Sequence, residues 1–447
     1  MSGDGVEFPA SWMGRAHPRF KVVPAPLPSG ATNGLLHRSY SSAGPECDTF
    51  PAAWVQSFPE RSVSNLPLLS RVFGRTPSGT TRCMKGAMLS SAGQSEACRR
   101  EGRLGRIDVF IPCYNYGHFL YHCVNSVLGQ VGVDVRVLVI DDASPDNTAE
   151  VAAALARKDP RVTVIRHSTN KGHIKTYNEG IEWASADYML LLSADDYLLP
   201  GALSRAANLM DAYPEVGFTF GNVIELSESG NEAPIKSIID VTDDSDKRIL
   251  EGREFIELSG PANLVPTCSA VVRTDLQKHV GGYREELPHA GDMEMWLRFA
   301  AHASVGFISA YQGVYRRHSA NMSTAYYYIS DGRQIYTRNG RLTDLQQRKS
   351  ALDCFSERCK DVLPRYEHLC RRLYRQLSRS AVGHASAAFN DGQMEESKEL
   401  SDFALGVCPE IKSSSAWVKL TCKRWMGART WHAVRPAAAA VRAMQRN

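Results

Sequence analysis

Short apolar runs alternate with helical patterns between residues 107 and 192, and this alternation fixes the class of fold. Ile107–Pro112, Val135–Ile140, Val162–Ile165 and Tyr188–Leu192 are continuous apolar runs of strand length. Between them lie His118–Leu128, which gathers Leu120, Val124, Val127 and Leu128 on one side, a stretch opened by Ser144-Pro145 that runs to Ala156, and Ile174–Trp183. Strands that alternate with helices of about 10–15 residues make βαβ units. Uninterrupted apolar strands belong to a parallel sheet covered on both faces.

Each chemically notable cluster falls at the end of one of these runs. The first run ends in Pro112-Cys-Tyr-Asn115, the second in Asp141-Asp142 and the fourth in Asp195-Asp196, before Pro200-Gly201 opens another helical pattern. In open parallel sheets, ligands bind outside the carboxyl ends of the strands, so one crevice can gather all three. Adjacent carboxylates at the mouth of a buried strand repel each other and want water. A divalent cation facing the strand end removes that repulsion, which makes a metal–diphosphate site the leading idea. Taken alone, Asp142 is a turn residue or helix cap as readily as a binding group.

The remaining sequence bounds the alternatives. The eleven cysteines form no C-x-x-C pair and no Cys/His cluster of zinc-ligand spacing, which fits reduced thiols in a cytoplasmic protein. A net charge of +4 is too small to argue for nucleic acid. No run approaches the ~18–20 apolar residues that span a bilayer, and the first residues lack the basic and apolar regions of a signal peptide. Residues 1–104, rich in Pro, Ser, Gly and Arg, have no sustained periodicity and suit a low-order segment. Residues 214–320 are irregular, with strands expected at Val216–Phe220 and Ser269–Val272 and a helix at Met293–His302. Residues 325–409 look helical, with Leu363, His368, Leu373 and Leu377 near helical spacing and a hairpin turning at Asn390-Asp-Gly392. From Ile411 to Asn447 there are eight Lys/Arg and no Asp/Glu, with Trp417, Trp425 and Trp431 interleaved. Such a tail is either an amphipathic helix on an anionic membrane face or a helix that packs its tryptophans on the domain.

Six motifs in order make residues 106–325 similar to the family 2 glycosyltransferases. They are Ile-Pro-Cys-Tyr-Asn (111–115), Val-Ile-Asp-Asp-Ala-Ser (139–144), Asn-Lys-Gly (170–172), Leu-Leu-Ser-Ala-Asp-Asp (191–196), Gly-Asp-Met-Glu-Met-Trp-Leu-Arg (291–298) and Tyr-Arg-Arg-His-Ser-Ala-Asn-Met-Ser (315–323). The resemblance implies an α/β fold of the GT-A type: a Rossmann-like, mostly parallel sheet with helices on both faces. It would occupy residues 105–325, followed by a helical region, 326–447. It also implies a metal-dependent inverting transferase of polysaccharide biosynthesis, moving a sugar from a nucleotide-diphosphate donor, UDP-linked, to a hydroxyl of a glycan or lipid-linked acceptor.

On that resemblance Pro112, Tyr114 and Asn115 line the nucleobase pocket, Asp142 accepts hydrogen bonds from base or ribose, and Asp195 contacts the ribose. Asp196 is the metal ligand, with His318 reaching the metal or diphosphate from the other side. Hard oxygen ligands favour Mg²⁺ or Mn²⁺. Asp292 takes the role of catalytic base, its alternative being an N-cap of the helix it opens, and Glu294 that of an acceptor contact. Lys171 is either a nucleotide contact or a solvated loop charge. Trp296 is core packing or a sugar platform, and Arg316 and Arg317 can meet phosphate. The chain departs from the family at Ser193 and Gly291, where acids are usual, which puts metal affinity and acceptor choice in question. The rival reading is an inactive GT-A-fold binding or scaffold protein.

Overall fold

The computed structural model describes residues 104–433 apart from 240–245, 331–332, 338–339, 428 and 432. The expectations for residues 1–103 and for the tail beyond Ala433 lie outside the described residues. Elements β1 (Gly105–Cys113), α1 (Gly117–Leu128), β2 (Val133–Asp141), α2 (Thr148–Lys158), β3 (Val162–Arg166), α3 (His173–Trp183) and β4 (Tyr188–Leu191) alternate as the apolar pattern requires. Their strands lie in the order β3-β2-β1-β4 and are all parallel.

The chain continues through β5 (Tyr197–Leu198), α4 (Ala202–Ala212), β6 (Val216–Ser227), β7 (Glu232–Ile235), β8 (Lys247–Leu250), α5 (Gly252–Ser259), β9 (Val271–Arg273), α6 (Thr274–Val280), α7 (Gly291–His302) and β10 (Ser304–Arg317). Strand β9 is antiparallel to both β4 and β6, and β6 pairs in parallel with β10, which extends the sheet to β3-β2-β1-β4-β9-β6-β10-β5. The result is the mixed, mostly parallel α/β sheet that the resemblance implies.

Successive residues of a strand point to opposite faces, and here each face has its own core. Ile107, Val109 and Ile111 of β1 pack with Leu120, Val124 and Val127 of α1 and with Leu203 and Met210 of α4. Phe110, between them, enters the other core with Ile174 and Ile181 of α3. Each such side chain contributes about 1.5–3 kcal/mol when fully buried.

The second core extends past the sheet. After the antiparallel hairpin β11 (Tyr327–Ser330) and β12 (Arg333–Tyr336) come α8 (Gly340–Cys359), α9 (Tyr366–Asn390), α10 (Met394–Val407) and α11 (Ser415–Met426). Leu352, Phe355, Leu373, Leu377 and Leu400 from these helices join Phe218, Phe255 and Phe299 in one continuous cluster. The C-terminal helices are thus a third layer on one face of the sheet.

Several local expectations are corrected. The helix after β2 begins at Thr148, because Ser144 and Asp146 are committed to the loop: Ser144 Oγ accepts from Asn115 N, and Asp146 accepts from Gly117 N, each at 3.0 Å. The region from 325 opens with a hairpin, not a helix, and Leu363 lies in the link between α8 and α9. The turn at Asn390-Asp-Gly392 is present, with Gly392 at φ +79°, a conformation that favours glycine. The tail does not present all three tryptophans to one surface. Trp417 and Trp431 pack against the helical core, while Trp425 is 88% exposed. No described helix is long and apolar enough to cross a membrane.

Asp108 ties the parallel strands together. It is fully buried and accepts two N–H groups of Arg136 at 2.8 and 2.7 Å and the backbone N–H groups of Ser185 and Ala186 at 2.7 and 2.8 Å. Replacing Asp108 by Ala leaves the buried Ala186 N–H and the part-buried Ser185 N–H without an acceptor, a cost on the order of 3 kcal/mol. Urea unfolding should register that loss. Arg136→Met should also be costly, because it leaves the fully buried Asp108 carboxylate without its charge partner.

Candidate active site

The carboxyl ends of β1, β2 and β4 lie next to one another, as the pairing of Cys113 with Asp141 and of Phe110 with Leu191 requires. The loops leaving β1 and β2 are both strained. Asn115 has φ +62° and Ala143 φ +58°, two of the three non-glycine residues with positive φ among the described residues. Such strain persists only where surrounding contacts over-determine it, and it clusters at functional sites. Here the Asn115 N–H to Ser144 Oγ bond and the Ser144 N–H to Asp141 Oδ1 bond at 2.9 Å lock the two loops together. Tyr114, beside them, is half exposed, and Pro112 pairs with Ile140 at the last turn of the sheet.

Asp142 is buried, and its carboxylate is already well supplied with donors. Oδ1 receives the Lys171 N–H at 2.7 Å and lies 2.7 Å from His167 Nδ1, and Oδ2 receives the Gly172 N–H at 2.9 Å. Burial pushes its pKa up, but these contacts outweigh it and hold the carboxyl below its ordinary range. Two carboxylate oxygens offer about four acceptor positions, so a ligand would find one remaining. The Lys171 ammonium, half exposed, pairs with Glu179 Oε2 at 3.0 Å.

Asp195 and Asp196 are both buried. Asp195 Oδ2 accepts from Asn321 Nδ2 at 3.1 Å and lies 3.1 Å from His318 Nε2, while Asp196 Oδ1 accepts from the Arg316 backbone N–H at 2.9 Å. His318 is fixed in turn by its own N–H to Asn321 Oδ1 at 2.7 Å and by the edge of the Tyr116 ring. The end of β10 therefore delivers Arg316, His318 and Asn321 to the end of β4. Burial and then the charge of Asp195 push Asp196 well above the ordinary carboxyl range. The Arg316 guanidinium lies between the Phe119 and Tyr197 rings and bonds His122, and Arg317 pairs with Glu225 at 2.8 Å.

Asp292 occupies the first turn of α7. The cap position belongs to Ala290, so the capping alternative does not describe it. Its carboxylate accepts from Thr267 Oγ1 and Tyr283 Oη, each at 3.0 Å. Burial raises its pKa, and these two hydroxyls offset the effect only in part. Glu294 is corrected: it is 1% exposed, 2.6 Å from Arg298 Nη2 and 3.6 Å from Arg284 Nε, an internal ion pair rather than an acceptor contact. Trp296 is core, stacked on Phe218, with its indole N–H bonded to Asn263.

The four acids share one neighbourhood. The Tyr177 hydroxyl feels the charges of Asp292, Asp195 and Asp196, and the His173 ring those of Asp292 and Asp142. Asp142, Asp195, Asp196, His318 and Asp292 thus come together; Lys171 touches Asp142 through its backbone N–H while its ammonium pairs with Glu179, and Glu294 does not join them. His167, Glu179, Thr267 and Tyr283 carry no motif signal of their own, because each acts through a contact made only in the fold; Asn321 falls inside the 315–323 motif, but its contact with Asp195 is likewise made only in the fold.

The donor set suits a hard cation. Asp196 follows Asp195, which touches the His318 ring, and the nearby Cys268 is held as a thiol by burial. Among the described residues no three His, Cys, Asp or Glu side chains form a ready cation cage. Mg²⁺ ordinarily takes one or two carboxylates and completes its shell with substrate phosphates and water, and the like-charged Asp195–Asp196 pair fits that use.

Residues 108–279 match the family described as Glycosyl transferase family 2. An uncharacterized protein of Mycobacterium tuberculosis (strain CDC 1551 / Oshkosh) is 27% identical over 223 residues, 49% of this chain and 69% of that protein. Chondroitin synthase of Pasteurella multocida (strain Pm70) is 36% identical over 101 residues, 23% of this chain, which spans only 10% of the synthase. The crystal structure of S. aureus TarS 1–349 in complex with UDP-GlcNAc superposes with a TM-score of 0.51 at 17% identity, covering 67% of this chain and 80% of that one. This last likeness is one of fold.

The raised pKa of Asp292 carries a stability consequence. A carboxyl whose folded pKa lies above its unfolded value costs nothing below the unfolded value. The cost grows as pH rises through the window between the two and is complete above the folded pKa. Asp292→Asn should therefore raise the melting temperature at pH 7–8, and the gain should vanish near pH 4. Scanning calorimetry across that range measures it.

Proposed function

We propose, on the premise that residues 108–279 are a family 2 glycosyltransferase domain, that the chain moves a sugar from a nucleotide-diphosphate donor to a hydroxyl of a glycan or lipid-linked acceptor, with inversion. The observation that carries this is the gathering of Asp142, Asp195 and Asp196 at the carboxyl ends of the sheet with Asp292 of α7 in the same neighbourhood, and with His318 fixed against Asp195. A UDP-linked donor is the favoured class, in keeping with the UDP-GlcNAc bound to the TarS structure.

The nucleoside would lie against Pro112, Tyr114 and Asn115, with Asp142 accepting a hydrogen bond from base or ribose and Asp195 one from the ribose. Asp196, with His318, would hold Mg²⁺ or Mn²⁺, which when bound neutralises charge on the leaving diphosphate. Asp292 takes the proton of the acceptor hydroxyl as its oxygen attacks the anomeric carbon, and the electron pair of the breaking C–O bond leaves with the diphosphate. A raised pKa suits this role, because a base works best when its pKa approaches the working pH. Thr267 and Tyr283 aim the carboxylate.

Turnover tests this directly. The protein with Mn²⁺ or Mg²⁺ and a panel of UDP-, GDP- and dTDP-sugars, with candidate acceptors, should release nucleoside diphosphate. EDTA and Asp196→Ala should abolish release, and Asp292→Asn should lower it by about 10²–10⁴-fold. No release, together with no metal-dependent donor binding by calorimetry, would favour the scaffold reading.

Peripheral contact with an anionic membrane rests on α11, where Trp425 and Val418 are exposed beside Lys419. Deleting the tail would also remove the packed Leu420 and Trp417, so substitution is the cleaner test. Trp425→Ser with Lys419→Glu should weaken sedimentation with phosphatidylserine vesicles at low salt and leave the melting temperature unchanged. Equal sedimentation of variant and parent would remove the membrane from the proposal.

A further inference from the structure

Beneath the donor site a row of alternating charges runs from the buried Asp142 and His167 out to the half-exposed Lys171. His167 follows β3, its N–H bonded to the Asp141 carbonyl at 2.9 Å, and its side chain is 2% exposed. Nδ1 is 2.7 Å from Asp142 Oδ1, and Nε2 is 2.9 Å from Glu179 Oε2 on α3. Glu179 Oε2 also accepts from Lys171 Nζ at 3.0 Å, and the Lys171 backbone N–H returns to Asp142 Oδ1 at 2.7 Å. The row closes into a ring of four groups: Asp142, His167, Glu179 and Lys171.

The protonation of the imidazole follows from counting donors. A neutral imidazole has one N–H and one lone pair, so it satisfies one carboxylate and turns a lone pair on the other. With the imidazole 2% exposed, that second contact, at 2.7 or 2.9 Å, would set a ring lone pair against a carboxylate lone pair. Only the imidazolium donates from both ring nitrogens, one to each carboxylate, beside the donors that Lys171 and the 171–172 turn already supply, and charge-assisted bonds of this kind are about twice as strong as neutral ones. Two anions and two cations then sum to zero, and the buried Asp142 is paired with a cation while Glu179 and Lys171 reach solvent.

We propose that His167 is a positioning residue held as the imidazolium, and that with Glu179 it fixes Asp142 as an ionised, acceptor-only carboxylate facing the nucleoside of the donor. This rests on the proposed transferase reading and adds to it a pair of residues outside its donor and metal contacts. Asp142 cannot rotate without breaking its bonds to His167 and to the 171–172 turn. Because it stays ionised, it selects a ligand group that brings its own hydrogen.

Two measurements test it on the intact protein. In the parent at neutral pH, ¹⁵N-detected spectra of the histidine rings should show both His167 nitrogens protonated, with the signal assigned by its loss in His167→Gln. In Glu179→Gln the new amide can donate to Nε2, so the ring should become neutral while keeping Nδ1–H on Asp142. His167→Gln should weaken binding of UDP with Mn²⁺ by about tenfold or more, the value of one charge-assisted bond. At saturating donor, turnover should stay within about threefold. Glu179→Gln should weaken UDP binding by less than His167→Gln does. A single ring N–H on His167 in the parent, or unchanged UDP affinity in His167→Gln, overturns the proposal. If the parent binds no nucleotide, the transferase reading fails separately, and the ring signal still decides the protonation state. If His167→Gln does not fold, the parent spectrum and Glu179→Gln suffice.

Discussion

Two adjacent buried carboxylates, Asp195 and Asp196, set the terms for the rest of the molecule. Neither fits easily at the end of β4: burial and mutual repulsion push Asp196 toward its protonated form. What surrounds them supplies donors. The Arg316 backbone N–H, the Asn321 amide and the His318 ring all arrive from the last residues of β10 and the turn after it. β10 stays paired with β6 from Ser304 to Arg317, through register shifts that leave extra β10 residues between Ile308 and Gly313. The length of β10 and the placement of residues 316–321 make sense as a response to those two acids.

The same economy appears elsewhere in the site. Asn115 and Ala143 are strained, and Asp292 is a carboxyl burdened by burial. Sites built for charge chemistry tend to be locally unfavourable and stabilised from outside. Here the support comes from the two cores and from Asp108, whose carboxylate holds β1, β2 and the entry to β4 in register. The C-terminal helices support the other side. Asp344 of α8 lies 3.0 Å from His289 Nε2, just ahead of α7, and takes Arg348 as a second partner. The start of the helix that carries Asp292 is therefore held by a residue some fifty positions downstream.

Much of this was legible in the residues, and the pattern of what was not is physical. The parallel strands were readable because continuous apolar runs of that length have few alternatives, and the acids because they terminate those runs. The hairpin at β11–β12 also has a sequence signal, Asp331-Gly332 between Tyr-Tyr-Ile-Ser and Arg-Gln-Ile-Tyr, that helical spacing further on obscures. Glu294 and Arg298 are four apart on a helix, a spacing that already suggests an ion pair. Their burial depends on Arg284 arriving from a loop, which no periodicity announces. Asp142 is the sharpest case. Its neighbours in sequence mark it as a loop acid, whereas its state is set by His167 and by the 171–172 turn, twenty-five and more residues away.

Donor and acceptor are consequently read by different parts of the chain. On the proposed function, the donor side is built from groups that hold one another in place, so its specificity is written into the sheet and its loops. The acceptor side has lost its one sequence-level candidate, Glu294, to the interior. What remains near Asp292 are Thr267, Tyr283 and His173, with His289 stacked on Tyr326 at 3.7 Å where the helical region meets the sheet. Acceptor choice then falls to a seam between two parts of the fold that share a single hydrophobic core. That sharing limits how freely the seam can vary: a change large enough to admit a different acceptor must leave Phe299, Leu352 and Phe355 packed, or the helix that aims Asp292 moves with it.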